Sequence, residues 1–193
     1  EHLTTDQKVT GLNPVGVTLR ETSSPRKHHS QAERCFFVIT SYLMNPSVSD
    51  IDRRMMQLAI AEARKAYQAD EVPIGAVIAY GDRVIGRGHN LTESLGDVTA
   101  HAEMQALTAA ANTLGGKYLP GCTLYVTVEP CVMCAGALGW SQISRVVYGA
   151  PDVKRGYSVM TSRSPFHPQC EVVPGVMAAE CAALMKSFFS KKR

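Results

Sequence analysis

The chain has 193 residues, 45% of them apolar, a net charge of +3 and six cysteines. That length and apolar fraction fit one globular domain with some extra chain. No apolar run reaches about 18 residues, which speaks against a membrane span, and six scattered cysteines in so apolar a chain need no disulfide framework and lean to a reducing compartment.

Residues 1–49 lack sustained periodicity and read as a disordered N-terminal extension. Within them FFVITSYLM matches a signal core in length only, lying too deep in the chain and lacking a cleavage site. The ordered domain is expected over residues 50–193. Ser49 caps a helix over 50–68, with Asp52 at the third position. Its apolar stripe is Ile51, Met55, Leu58, Ala59, Ala63, Ala66 and Tyr67. IGAVIAY (74–80), a Gly-Asp turn and RVIGRGHN (83–90) read as a hairpin. A loop leads to a helix over 100–114, which Gly115 and Gly116 stop. CTLYVTVE (122–129) is a strand, a second helix runs from the cysteine pair to Trp140, and RVVYG (145–149) is a short buried strand. After a long loop come EVVPGV (171–176) and a last helix over 177–189. This order predicts an α/β fold, a central mixed sheet covered by helices.

Charge is unevenly spread. Residues 50–144 carry 7 basic and 10 acidic groups, whereas residues 145–193 carry 8 and 3, and the last eight residues hold four of those bases. A basic end suits a polyanion such as RNA, and equally a solvated helix terminus.

The stretch EPCVMCAG (129–136) has four readings: a redox switch, half of a structural zinc site, part of a catalytic zinc site, or a packing accident. HAE (101–103) decides among them, because it also opens a helix and one strand joins the two helices. Cys131 and Cys134 lie one turn apart, so both sulfurs face one way, and a helix N-terminus favours the thiolate. His101 supplies a third ligand. Three protein ligands leave a fourth tetrahedral position for water, as catalytic zinc requires. Glu103 then serves as general acid and base beside a water whose pKa the metal lowers to about 7. Redox chemistry of the thioredoxin kind would leave HAE without a role. Cys122, Cys170 and Cys181 have no partner pattern and read as buried small residues or loop thiols.

H-x-E with P-C-x-x-C is the signature of zinc-dependent cytidine and nucleobase deaminases. Together with EVPIGAVI (71–78), Gly88-His89-Asn90, DVTAHAEMQAL (97–107), TLYVTVEPCVMCAGAL (123–138) and ECAALMKSFF (180–189), it makes the chain resemble the bacterial tRNA-specific adenosine deaminases over residues 50–193. The resemblance implies a three-layer α/β/α cytidine-deaminase-like fold, a cytoplasmic homodimer and one Zn2+ per subunit. It implies hydrolysis of adenosine to inosine at the wobble position of a tRNA anticodon loop. The alternative is a deaminase of a free nucleobase or nucleoside, guanine or cytosine. The zinc ligands carry over to His101, Cys131 and Cys134, and the proton shuttle to Glu103. Asn90 matches the residue that hydrogen-bonds the flipped nucleotide, although Asn also closes turns. The Ala102 N–H falls at the base edge. Asp152 and Lys154 fall in a loop that touches RNA, or form an exposed pair of little consequence. Phe188 or Phe189 packs against the anticodon loop, and since they are adjacent at most one faces the core. Glu129 reads as a structural hydrogen-bonding residue. Two departures stand out: His89 replaces a larger aromatic, and residues 155–170 are individual in sequence.

Overall fold

The Ser49 hydroxyl accepts from the Asp52 N–H at 3.1 Å while the Asp52 carboxylate accepts from the Ser49 N–H at 3.0 Å. This reciprocal cap starts α1 (Asp50–Gln68), as the sequence predicts. The computed structural model describes residues 48–192, so the expected extension lies outside the described residues except at its last two positions. The buried face of α1 is rotated from the predicted stripe. Met55, Ala59, Ala63 and Ala66 are buried as expected, but Met56 and Ile60 join them while Ile51 is exposed and Leu58 and Tyr67 are half-buried. The cause is Asp52, which is drawn inside and carries positions 56 and 60, on the same helical face, with it.

Five strands follow: β1 (Gly75–Tyr80), β2 (Arg83–His89), β3 (Cys122–Val128), β4 (Arg145–Ala150) and β5 (Glu171–Val173). They form one mixed sheet in the order β2-β1-β3-β4-β5. β1 runs antiparallel to β2 and β3, and β3, β4 and β5 are parallel. β5 stops at Val173, since Pro174 has no N–H to continue the ladder. Two predicted loops hold single helical turns, α2 (Thr92–Leu95) and α5 (Tyr157–Met160). The longer helices are α3 (Ala102–Leu114), α4 (Val132–Trp140) and α6 (Ala178–Lys191). Gly115 ends α3 at φ 68°, a left-handed conformation that favours glycine. No helix among the described residues is long and apolar enough to cross a membrane.

Strand alternation divides the core in two. Ala76, Ile78, Leu124, Val126, Val146 and Tyr148 point to one face, where Ala102, Ala106 and Ala110 of α3 and Ala135 and Leu138 of α4 cover them. Val77, Ala79, Tyr125 and Val147 point to the other, beneath α1 and Cys181 of α6. The result is the expected α/β/α sandwich. At Gly88 a side chain would meet the Ala102 carbonyl at 2.4 Å and the Ala106 nitrogen at 2.6 Å. Glycine there lets β2 lie flush against the first turn of α3, and so fixes where that turn sits.

One ion pair ties the layers together. The Arg145 guanidinium donates to both oxygens of Asp52, at 2.6 and 3.2 Å, and through Nε to Glu171 at 2.9 Å; the Tyr125 hydroxyl donates to Asp52 at 3.0 Å. Burial pushes the Asp52 carboxyl up, but Arg145 and the Ser49 cap outweigh it and hold the group below its usual range. A depressed carboxylate contributes stability that is present above the unfolded value of about 4 and is lost as pH falls through the folded one. Asp52→Asn should therefore cost about 3 kcal/mol at neutral pH, the scale of breaking a buried pair. The deficit should shrink as pH falls below about 4, because the unfolded chain is protonated there while the folded wild type loses the same charge only at its lower value. Urea unfolding at pH 7 and pH 3 measures both; an equal deficit at the two values refutes the assignment.

Candidate active site

His101 and Cys131 are the N-cap residues of α3 and α4, and both have extended backbones, with ψ of 155° and 171°. An N-cap side chain ordinarily accepts from its own helix. His101 does not do so here, and Cys131 keeps only the weak sulfur contact from the Cys134 N–H. They turn to each other across the ends of the two helices: His101 Nδ1 lies 3.6 Å from Cys131 Sγ and 3.5 Å from Cys134 Sγ. Tetrahedral zinc, with bonds of about 2.0–2.1 Å to nitrogen and about 2.3 Å to sulfur, sets such nitrogen–sulfur edges at roughly 3.6 Å. Both nitrogen–sulfur edges thus match a zinc ion, all three ligand atoms lie within 4.8 Å of one another, and among the described residues no other His, Cys, Asp or Glu joins them.

The electrostatics fit as well. The hydrogen bond from Cys134 lowers the Cys131 thiol to about 4 against the penalty of burial, with His101 helping. The same hydrogen bond and burial push Cys134 up. The His101 imidazole is raised by its contact with Cys131. A thiolate, a thiol and an imidazole sharing protons at one point form a donor set in which a dication displaces those protons.

Glu103, in the first turn of α3, is 4% exposed, and its Oε2 is buried without a hydrogen-bond partner. Burial pushes its carboxyl up to about 7. A buried unpaired carboxylate oxygen costs stability, and groups shifted in this way concentrate at functional sites.

Two further buried carboxylates frame this centre. Glu129 accepts from the Asp152 N–H at 3.1 Å and the Ser158 N–H at 3.0 Å, and the Pro130 carbonyl accepts from the Tyr157 N–H at 2.9 Å. The segment carrying the cysteines therefore holds the 152–158 loop directly, in line with the structural role read for Glu129. Glu71, fully buried, accepts from the Ser94 N–H at 2.7 Å, the Glu93 N–H at 3.2 Å and the Asn90 side chain at 3.1 Å. The sequence alone gives Glu71 no role; its only signal is an acidic residue opening an otherwise apolar segment, EVPIGAVI.

Asn90 is buried and does not close the hairpin turn. Its N–H bonds the Ile74 carbonyl, and the next N–H, of Leu91, bonds the Ala100 carbonyl at 3.0 Å, one residue from His101. Ala102 is buried in the first turn of α3, where backbone N–H groups have no partner within the helix. The Asp152 carboxylate folds onto its own loop, accepting from the Lys154 and Arg155 N–H groups at 3.0 Å each, and Lys154 is exposed. Phe188 is buried against Tyr67, leaving Phe189 as the exposed ring of the pair. Lys192 pairs with Asp70 at 2.7 Å, and Lys191 lies 4.4 Å over the Tyr67 ring. His89 lies 3.3 Å from a Glu62 carboxylate oxygen.

The family model described as the cytidine and deoxycytidylate deaminase zinc-binding region matches residues 49–150. The chain belongs to this deaminase family. The match includes all three zinc-fitting residues and Glu103. Among curated deaminases, the chain is 46% identical over 142 residues to the tRNA-specific adenosine deaminase of Agrobacterium fabrum, covering 72% of this chain and 93% of that one. It is 44% identical over 146 residues to the protein of the same name from Bacillus subtilis, covering 74% and 91%. A solved structure from work on A-to-I editing by tRNA deaminases at the wobble position of transfer RNA superimposes with a TM-score of 0.64 at 44% identity, over 68% of this chain and 98% of that one.

Proposed function

We propose that this deaminase hydrolyses adenosine to inosine at the wobble position of a tRNA anticodon, with His101, Cys131 and Cys134 as the ligands of one zinc ion and Glu103 as the proton carrier. The observation that carries the chemistry is a buried carboxylate oxygen, Glu103 Oε2, left without a hydrogen-bond partner next to a zinc-sized His/Cys/Cys group. The names of relatives at 43–46% identity support the choice of tRNA adenosine over a free base.

When bound, zinc supplies the Lewis acidity that makes water a nucleophile near neutral pH. Glu103 takes the proton from the attacking water as oxygen adds to the amino-bearing ring carbon, and delivers it to the adjacent ring nitrogen. It then takes the proton of the newly added hydroxyl and passes it to the amino group, so that the carbonyl forms as the C–N bond breaks and ammonia leaves. The base has to leave its stack to reach Glu103, and an anticodon loop lowers that cost because its bases are unpaired. Asn90 and the Ala102 N–H hold the nucleotide. Lys154, on a loop ordered by Asp152, and the exposed Phe189 near the basic end meet the RNA, while buried Phe188 supports Phe189.

The working unit in this reading is a cytoplasmic homodimer of residues 50–193, with residues 1–49 as an extension. α4 supports the dimer. Its sequence VMCAGALGW is apolar throughout, yet Val132, Met133 and Trp140 are exposed, Trp140 by 85%. A helix apolar on every side belongs in an interior, and a second copy supplies one.

Incubation with total tRNA should introduce inosine at the wobble position, and an anticodon stem-loop should be turned over where free adenine, guanine and cytosine are not. Turnover of free bases alone would replace this reading with the small-molecule one.

A further inference from the structure

Glu71 has no contact with the metal-binding residues, yet it controls the atom that Asn90 can offer. Both Asn90 amide hydrogens are engaged: Nδ2 donates to Glu71 Oε2 at 3.1 Å and to Thr92 Oγ1 at 3.0 Å. The Thr92 hydroxyl donates in turn to Glu71 Oε2 at 3.3 Å, so its oxygen is the acceptor for Asn90. This closed triangle has only one consistent assignment. An ionised carboxylate has no hydrogen to give, so the Asn90 atom facing it is the NH2 group. Burial pushes the Glu71 carboxyl up, but the N–H groups of Ser94 and Glu93 and the Thr92 hydroxyl outweigh it and keep the group ionised at neutral pH. Asn90 is left with its carbonyl oxygen, an acceptor only.

We infer that Glu71 is a positioning residue that sets the polarity of Asn90, so that the site reads the 2′-hydroxyl of the target adenosine as a hydrogen-bond donor. The inference rests on the tRNA adenosine reading and deepens it. An adenosine inside an RNA strand has two strong donors, the amino group and the 2′-hydroxyl. The amino group is the leaving group and faces Glu103. The 2′-hydroxyl is the donor that remains for a fixed acceptor, and it is the group that separates RNA from DNA.

The test uses anticodon stem-loops that carry either adenosine or 2′-fluoroadenosine at the wobble position. Fluorine keeps the ribose-like sugar pucker and removes the donor. The wild-type enzyme should lose at least about tenfold in kcat/KM on the fluoro substrate, as an acceptor left unpaired implies. Glu71→Gln brings an NH2 group into the triangle and lets Asn90 turn over. It should slow the ribose substrate and reduce the ribose-to-fluoro ratio to within about threefold, with zinc content unchanged. If Glu71→Gln fails to fold, Thr92→Val frees one amide hydrogen at a half-buried position and should lower the same ratio. Equal wild-type rates on both substrates overturn the inference. So does a folded variant that is slower but keeps the full ratio, since that is the behaviour of a merely structural residue. No inosine from the ribose stem-loop overturns the substrate reading, and this inference with it.

Discussion

Glu103→Ala retains its zinc and loses deamination. The expected drop in kcat is at least about 100-fold and up to about 10,000-fold, the range for a positioned acid–base group. The structure separates this effect from a folding defect. Glu103 is not among the three residues that gather as ligands, and its buried Oε2 makes no hydrogen bond that folding would miss. Glu103→Gln keeps the shape and should behave alike. Inosine formation, zinc content and thermal melting measured on the same preparations decide the matter. Turnover within about tenfold of wild type would return the proton carrier to an unassigned group.

Cys134→Ala should fail one step earlier, by losing the metal itself. Its sulfur is fully buried and 3.5 Å from the imidazole nitrogen, so no exposed residue replaces it. Changes outside a ligand shell cost roughly 10–100-fold in affinity, and loss of a ligand exceeds that range. Zinc content should fall from one per chain towards zero, activity with it, and the melting temperature should drop because bound metal stabilises only the folded state. Wild-type protein stripped with a chelator should show the same losses and recover when zinc is returned. Cys134→Ala should not recover. Full zinc occupancy in this variant would exclude Cys134 as a ligand.

The parts of this molecule that were legible in sequence share a physical trait: they are set by neighbours a few residues apart. Ser49 and Asp52 announce the start of α1 because a capping box is a local device. Cys131 and Cys134 announce a shared direction because one helical turn separates them. Even the link from HAE to PCVMC needed only the idea that both motifs open helices. What stayed hidden depends on partners far along the chain. Nothing near Asp52 says that Arg145, 93 residues away, will draw it inside and rotate the α1 face. Nothing near Glu71 says that it will hold backbone N–H groups of a turn more than twenty residues on. Phe188 and Phe189 were indistinguishable because the choice between inward and outward ring is made by Tyr67, on another helix. The placement of β5 beside β4 was likewise a tertiary outcome, since parallel partners are separated by long connections.

The weak caps of α3 and α4 set a conflict between foldability and chemistry. Serine, threonine or aspartate at positions 101 and 131 would satisfy the first turns of both helices better than histidine and cysteine do, by about 1 kcal/mol each. A redesign guided by helix capping alone would write those residues in, and would produce better-started helices with no place for the ion and none of the stability that the ion supplies. At these two positions the sequence accepts a weaker helix start in exchange for a reactive centre.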